Sequence, residues 1–104
     1  MPIKRVVPVS DIDIAFGRAL RRTRRRADFT QDYIAIRANV TRSYVSRLEH
    51  AVSQPSLGMF ISVAGALGMS PITLLAETLW ELARVNDSPR GGFAPRTLNN
   101  DGVD

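Results

Sequence analysis

Residues 30–49, Thr-Gln-Asp-Tyr-Ile-Ala-Ile-Arg-Ala-Asn-Val-Thr-Arg-Ser-Tyr-Val-Ser-Arg-Leu-Glu, constrain the fold more than any other stretch. Thr30 and Thr41 each stand where a side-chain oxygen can accept from the free N–H groups of a helix's first turn. Between them, Asn39 tolerates the left-handed conformation that a sharp turn needs. Ile34 and Ala35 supply an inward face for the first segment, and Val45 and Leu48 for the second. The pattern predicts two short helices, 31–38 and 42–50, joined by a tight turn. The second helix then turns Arg42, Ser43, Ser46 and Arg47 outward. Short polar and basic side chains on an exposed helix suit the base edges of a major groove. A solvated helix face is the plain alternative for Arg42 and Arg47.

The remaining punctuation predicts three more helices. Ser10 with Asp13 has the form of a capping box opening a helix over 11–26, whose inward stripe is Ile12, Phe16, Ala19, Leu20 and Thr23. Arg21, Arg22, Arg24, Arg25 and Arg26 crowd its last turns, where cations favour the negative end of the helix dipole. Pro55 disfavours helix at Gln54, so 52–55 reads as a loop. Ser56 caps a helix over 57–67 with Leu57, Phe60, Val63, Ala64 and Leu67 inward, and Gly68 stops it. Ser70 caps a fifth helix with Pro71 at its first position, running to Val85 along the stripe Ile72, Leu75, Leu79 and Leu82. Trp80 and Ala83 widen that stripe. Residues 1–9 read as a flexible arm, 10–85 as one domain and 86–104, rich in Gly, Pro, Asn and Asp, as a disordered tail. No strand or internal repeat is expected.

Composition narrows the chemistry. The 104 residues contain no cysteine, which excludes disulfides and thiolate metal sites and fits a reducing cytoplasm. No apolar run approaches the roughly 20 residues of a membrane span. The start, Met-Pro-Ile-Lys-Arg-Val-Val-Pro, lacks the long apolar stretch of a signal peptide. Net charge is only +4, but residues 1–47 hold 11 Lys/Arg against 4 Asp/Glu, while residues 48–104 hold 3 against 6. The basic half contains the helix pair, as a polyanion partner would require; a solvated helix face that keeps the protein soluble is the equal alternative. The single histidine, His50, has no metal partner, so no metal or cofactor is expected.

From Gly17 to Leu75 the chain resembles the helix-turn-helix family of lambda-type phage repressors, Cro proteins and xenobiotic-response-element-type bacterial regulators. The resemblance lies in Leu20-Arg21, Thr30-Gln31, Ile34-Ala35, Val40-Thr41-Arg42-Ser43, Val45-Ser46, Leu48-Glu49, Pro55-Ser56 and Ala64-Gly65-Ala66-Leu67-Gly68, in this order and spacing. It implies an all-α, compact five-helix domain that binds double-stranded DNA, normally as a dimer on a two-fold operator. Position by position, it implies base reading by Arg42, Ser43 and Arg47, with Ser46 allowing close approach. It implies phosphate contact by Gln31, with Thr30, Tyr44, Arg21, Arg25, Ser53 and Gln54 as further candidates. Tyr44 suits a phosphate, a thymine methyl or partial core packing. Arg24 matches a position paired with an acid at the end of helix 3, here Glu49. The family often has glycine at Asn39 and Ala51. The Cβ of Ala51 disfavours a left-handed turn, so helix 3 is expected to end differently, one residue later, at the expense of a phosphate-binding backbone over Val52–Gln54.

The expected function is therefore a cytoplasmic, bacterial or phage-encoded transcriptional regulator, a repressor that occupies its operator as a homodimer through Leu79, Trp80, Leu82 and Ala83. Alternatively, Trp80 folds back on helix 1 near Phe16. An antitoxin that binds a toxin and represses its own operon would use the same DNA face. An enzyme is not expected, because the chain has no nucleophile–His–acid set, no phosphate-loop glycines and no metal cluster.

Overall fold

In the computed structural model, residues 8–87 are described, together with the backbone of 97–99 and 102–103. Five helices follow one another: α1 Val9–Arg26, α2 Gln31–Ala38, α3 Arg42–Glu49, α4 Leu57–Leu67 and α5 Pro71–Asp87. The predicted spans of α2 and α4 coincide with these, and the others differ by one or two residues at their ends.

The caps explain most boundaries. Thr30 Oγ1 accepts from Tyr33 N, Thr41 Oγ1 from Tyr44 N and Ser56 Oγ from Met59 N, each at 3.0 Å. Ser70 Oγ accepts from Ile72 N at 3.1 Å. Asn39 and Gly68 close α2 and α4 in the left-handed conformation, with φ of 59° and 75°. The expected capping box at Ser10 is not what opens α1. The helix begins earlier, with Pro8 as its N-cap, and the Pro8 carbonyl accepts from Asp11 N and Ile12 N. Ser10 and Asp13 therefore lie inside the helix.

Ala51 also departs from expectation. Its φ is 61°, so the left-handed turn forms despite its Cβ, and α3 ends at Glu49 with His50 as C-cap. Ala51 N donates to Leu48 O, and Val52 N and Ser53 N both return to Arg47 O at 2.9 and 3.2 Å. These bonds satisfy carbonyls that the helix end would otherwise leave open.

The core is Phe16, Leu20, Ile34, Ala35, Val45, Leu48, Val63, Ala64, Leu67 and Leu74, with Phe60 half-buried at its edge. α1 packs along α5 and across α3. At Gly17 the approach is so close that a Cβ would stand 2.6 Å from Leu48 O and 2.7 Å from Glu49 O. Five expected inward positions are instead at the surface: Ile12, Leu57 and, on α5, the stripe Ile72, Leu75 and Leu79, with Leu82 half-buried. The buried face of α5 is Leu74, Thr78, Glu81 and Val85. Thr78 is tolerated there because its hydroxyl donates to Leu74 O at 2.9 Å, and Glu81 because it meets Arg22 of α1.

Beyond the helices, the backbone of Thr97–Asn99 pairs antiparallel with Gly102–Val103. No strand was expected in this Asn-, Asp- and Gly-rich stretch, yet the same residue types also suit tight reversals. Of the arm expected at 1–9, Val9 already belongs to α1, and of the tail expected at 86–104, Asn86 and Asp87 belong to α5; residues 1–7, 88–96, 100, 101 and 104 lie outside the described residues.

Candidate nucleic-acid interface

The hydrophobic sides of α2 and α3 face each other and the core, which leaves their outer sides to solvent. Arg42, Ser43 and Arg47 are exposed, Ser46 and Tyr44 half-buried. Tyr44 packs its ring against the edge of the core, with the ring centre 5.5 Å from the guanidinium carbon of Arg47. Arg47 is tethered twice more: Nε donates to Ser53 Oγ at 3.1 Å and Nη1 to Ser43 Oγ at 3.0 Å. Arg42 lies one turn earlier, with its Nε 3.9 Å from Asp32 Oδ1 and both side chains largely in solvent. His50, four residues after Ser46, has Nδ1 2.8 Å from the Ser46 carbonyl.

Behind this surface sits a buried polar network. Arg24 Nε and Nη2 donate to the two oxygens of Glu49 at 2.6 and 3.0 Å, a bidentate pair between α1 and the end of α3. Arg24 Nη1 donates to Phe29 O at 2.9 Å. Glu49 Oε1 also accepts from Gln31 Nε2 at 3.0 Å. Both Arg24 and Glu49 are more than nine-tenths buried. A charge so far out of water is tolerated only when paired and hydrogen-bonded, and here both conditions hold. The network ties the C-terminal end of α1, the start of α2 and the end of α3 into one unit.

Between those three elements opens a polar concavity of about 450 Å³, lined by Arg21, Arg24, Arg25, Thr30, Gln31, Asp32, Arg42 and His50. Arg21, Arg25, Thr30 and Gln31, expected at phosphates, and Arg42, expected at a base, thus come together. Ser53 and Gln54 do not join them. Ser53 is engaged with Arg47, and Gln54 Nε2 donates to Asp13 Oδ1 on α1 at 3.3 Å. The backbone N–H groups of Val52 and Ser53 are spent on Arg47 O.

Arg22 was not singled out in the sequence, and it is a second member of the arginine run, after Arg24, that turns toward the protein. It lies between Glu77 and Glu81 of α5, with its guanidinium 4.7 Å from the Trp80 ring. The signal was present as two acids four residues apart on one helix, which place two carboxylates side by side. Arg84 stands 4.9 Å from the Trp80 ring centre, so two guanidinium groups flank this indole. Trp80 thus meets α1 at Arg22, whereas Phe16 pairs with Phe60, their ring centres 5.4 Å apart and tilted by 44°. Beside the Leu75–Leu79 stripe an apolar groove of about 290 Å³ is lined by Ile12, Phe16, Leu57, Phe60 and Leu75 among others.

Among the described residues, no group of three or more His, Asp or Glu is placed to hold a metal ion. No single described helix is long and apolar enough to cross a membrane.

Known proteins share this arrangement. A family profile described as a helix-turn-helix domain matches residues 15–77. The immunity repressor protein of Bacillus phage phi105 is 34% identical over 61 residues, which make up 59% of this chain and 42% of that protein. The chain thus spans less than half the length of that relative. Among solved structures, the clp gene regulator ClgR from Corynebacterium glutamicum is 30% identical with a TM-score of 0.68, over 76% of this chain and 82% of that one. The restriction-modification controller protein C.AhdI from Aeromonas hydrophila is 31% identical with a TM-score of 0.58, over 60% of this chain and 94% of that one. The family match covers more than half of the sequence, and the chain belongs to the helix-turn-helix family of the lambda-repressor-like, xenobiotic-response-element type.

Proposed function

We propose that this protein binds a specific double-stranded DNA operator as a homodimer, lays α3 in the major groove and represses transcription by occupying the site. The observation that carries this reading is the Arg24–Glu49–Gln31 network, which fixes the exposed face of α3 to the arginine-lined concavity as one rigid unit. Base reading falls to the α3 face of Ser43, Ser46 and Arg47, while Arg42 lies with the arginine-lined concavity. Arg21, Arg25, Thr30 and Gln31 hold the phosphate backbone. Gln31 uses one amide hydrogen on Glu49 and keeps the other for a phosphate, and the Thr30 hydroxyl accepts within its cap while its proton remains free to donate.

The homodimer forms through the exposed apolar stripe of α5, Ile72, Leu75, Leu79 and Leu82, with Ala83 at its rim. Its activity is binding rather than catalysis, and its place is the cytoplasm of a bacterium, where chromosomal and phage DNA are both accessible. Repression is supported by likeness to a phage protein named as an immunity repressor.

Titration of a duplex operator at increasing salt tests the reading. With about 6–10 phosphates neutralised per dimer, affinity falls by about 10³–10⁵ between 50 and 200 mM salt. A flat response would sink it.

A further inference from the structure

The two arginines on the outer side of α3 are held differently. Arg47 is fixed by two serine hydroxyls and a tyrosine ring, and no acidic group pairs with it among the described residues. Arg42 is loose, largely in solvent and 3.9 Å from the Asp32 carboxylate. We infer that Arg47 reads guanine end-on and that Ser43 and Ser53 are positioning residues that aim its guanidinium, an inference that rests on the DNA-binding reading above.

The donor count supports this. A guanidinium has five N–H donors in a fixed fork. Ser53 takes the Nε hydrogen and Ser43 takes one on Nη1. A side-on pair that uses Nε is therefore closed off. What remains is the end edge, with one hydrogen on Nη1 and one on Nη2. Guanine is the base whose major-groove edge offers two neighbouring acceptors, N7 and O6. Adenine would set its N6 amino group, and cytosine its N4 amino group, against another donor. Ser43 reinforces the choice: its oxygen accepts from Arg47, so its own proton is left to donate to a further acceptor.

Ser53 reaches Arg47 only because of the left-handed Ala51. That turn sends Val52 N and Ser53 N back to the Arg47 carbonyl, so Ser53 is bound to Arg47 through both backbone and side chain. A hydroxyl held in this way orders Arg47 before DNA arrives, which lowers the cost of ordering it on binding. Arg42, by contrast, lines the concavity beside Arg21 and Gln31, where a phosphate outcompetes the distant carboxylate of Asp32.

Selection of bound duplexes from a randomised pool, followed by anisotropy titrations on single-base operator variants, tests the assignment. The wild type selects one fixed guanine per half-site. Arg47→Lys, which supplies a point charge without a fork, loses discrimination at that guanine by about ten- to a hundredfold and leaves the other positions intact. Ser53→Ala relaxes the same position alone, by about three- to tenfold, the loss of one neutral hydrogen bond, and Ser53→Thr retains it. Arg42→Ala weakens all sequences alike. The inference is overturned if Ser53→Ala weakens every sequence equally with the motif unchanged, since Ser53 would then be a phosphate contact. It is also overturned if Arg42→Ala erases the guanine while Arg47→Lys does not. A wild type that enriches no sequence overturns the DNA-binding reading itself and the inference with it.

Discussion

Ala51 holds a φ of 61°, a conformation in which a Cβ crowds the following backbone. The turn is retained because three backbone N–H groups, those of Ala51, Val52 and Ser53, find carbonyls of α3 only in this geometry. Glycine removes the crowding and gives back part of the gain as unfolded-state entropy. Ala51→Gly is therefore expected to stabilise the domain by about 0.5–1 kcal/mol, seen as a higher urea midpoint with an unchanged m-value. Glu49 carries the opposite risk. It is 8% exposed and holds both Arg24 and Gln31. Glu49→Ala leaves the Arg24 guanidinium buried with only the Phe29 carbonyl as partner. A loss of about 3–5 kcal/mol is expected, as for other broken buried pairs. An unchanged melting temperature would exclude a structural role for the pair.

The helices themselves were largely legible. Thr30, Thr41 and Ser56 are capping residues whose side chains have few other uses at those positions, and Asn39 and Gly68 are the residue types that left-handed caps favour. The failure lies in α5, and it has a physical cause. This helix has two faces. The stripe Ile72, Leu75, Leu79 and Leu82 is the more apolar, but it faces outward, Ile72 being 79% exposed and Leu79 53%. The buried face mixes Leu74 and Val85 with Thr78 and Glu81, whose polar atoms are satisfied by Leu74 O and by Arg22. Periodicity alone selects the apolar stripe, because it cannot see Arg22, distant in sequence, which makes Glu81 suitable for burial. The same blindness hid Arg22 within the arginine run, and it hid the engagement of Ser53 with Arg47, which depends on a turn that the Cβ of Ala51 argued against. Gly17 was visible only as the first residue of the stretch that resembles the family. In the fold it is the point where α1 touches the end of α3, with Leu48 O and Glu49 O closing the space a Cβ would need. Both obstacles are backbone atoms and cannot rotate away. Gly17→Ala is expected to cost about 1–3 kcal/mol, the range of overpacked cores. It should also weaken operator binding, because the relief available is a shift of α3 away from α1. A variant with wild-type stability would mean that α1 and α3 separate more freely than this contact implies.

At the scale of the whole molecule, the proposed homodimer turns on the two faces of α5. One recognition helix spans only a few base pairs, and two copies about one helical turn apart read a longer, two-fold site. The partner surface must then be self-complementary, since a two-fold interface sets the same patch against itself. The outward stripe Ile72, Leu75, Leu79 and Leu82 has the required character. It is apolar along its length, it continues into the groove beside Ile12 and Leu57, and it makes no contribution to the buried core apart from the half-buried Leu82. Trp80 lacks that character despite its size, because Arg22 and Arg84 already flank its ring. The two substitutions should therefore separate. Leu79→Glu places a charge in the middle of the stripe without opening the core. By light scattering it is expected to be monomeric at micromolar concentration, to keep its helical circular dichroism and to lose operator affinity because half-sites bind singly. Trp80→Ala removes two cation–π contacts, at about 0.5–1 kcal/mol each for a half-exposed ring, and remains dimeric. A Leu79→Glu protein that stays dimeric, or a Trp80→Ala protein that falls apart into monomers, would move the interface from the stripe to the arginine-flanked face.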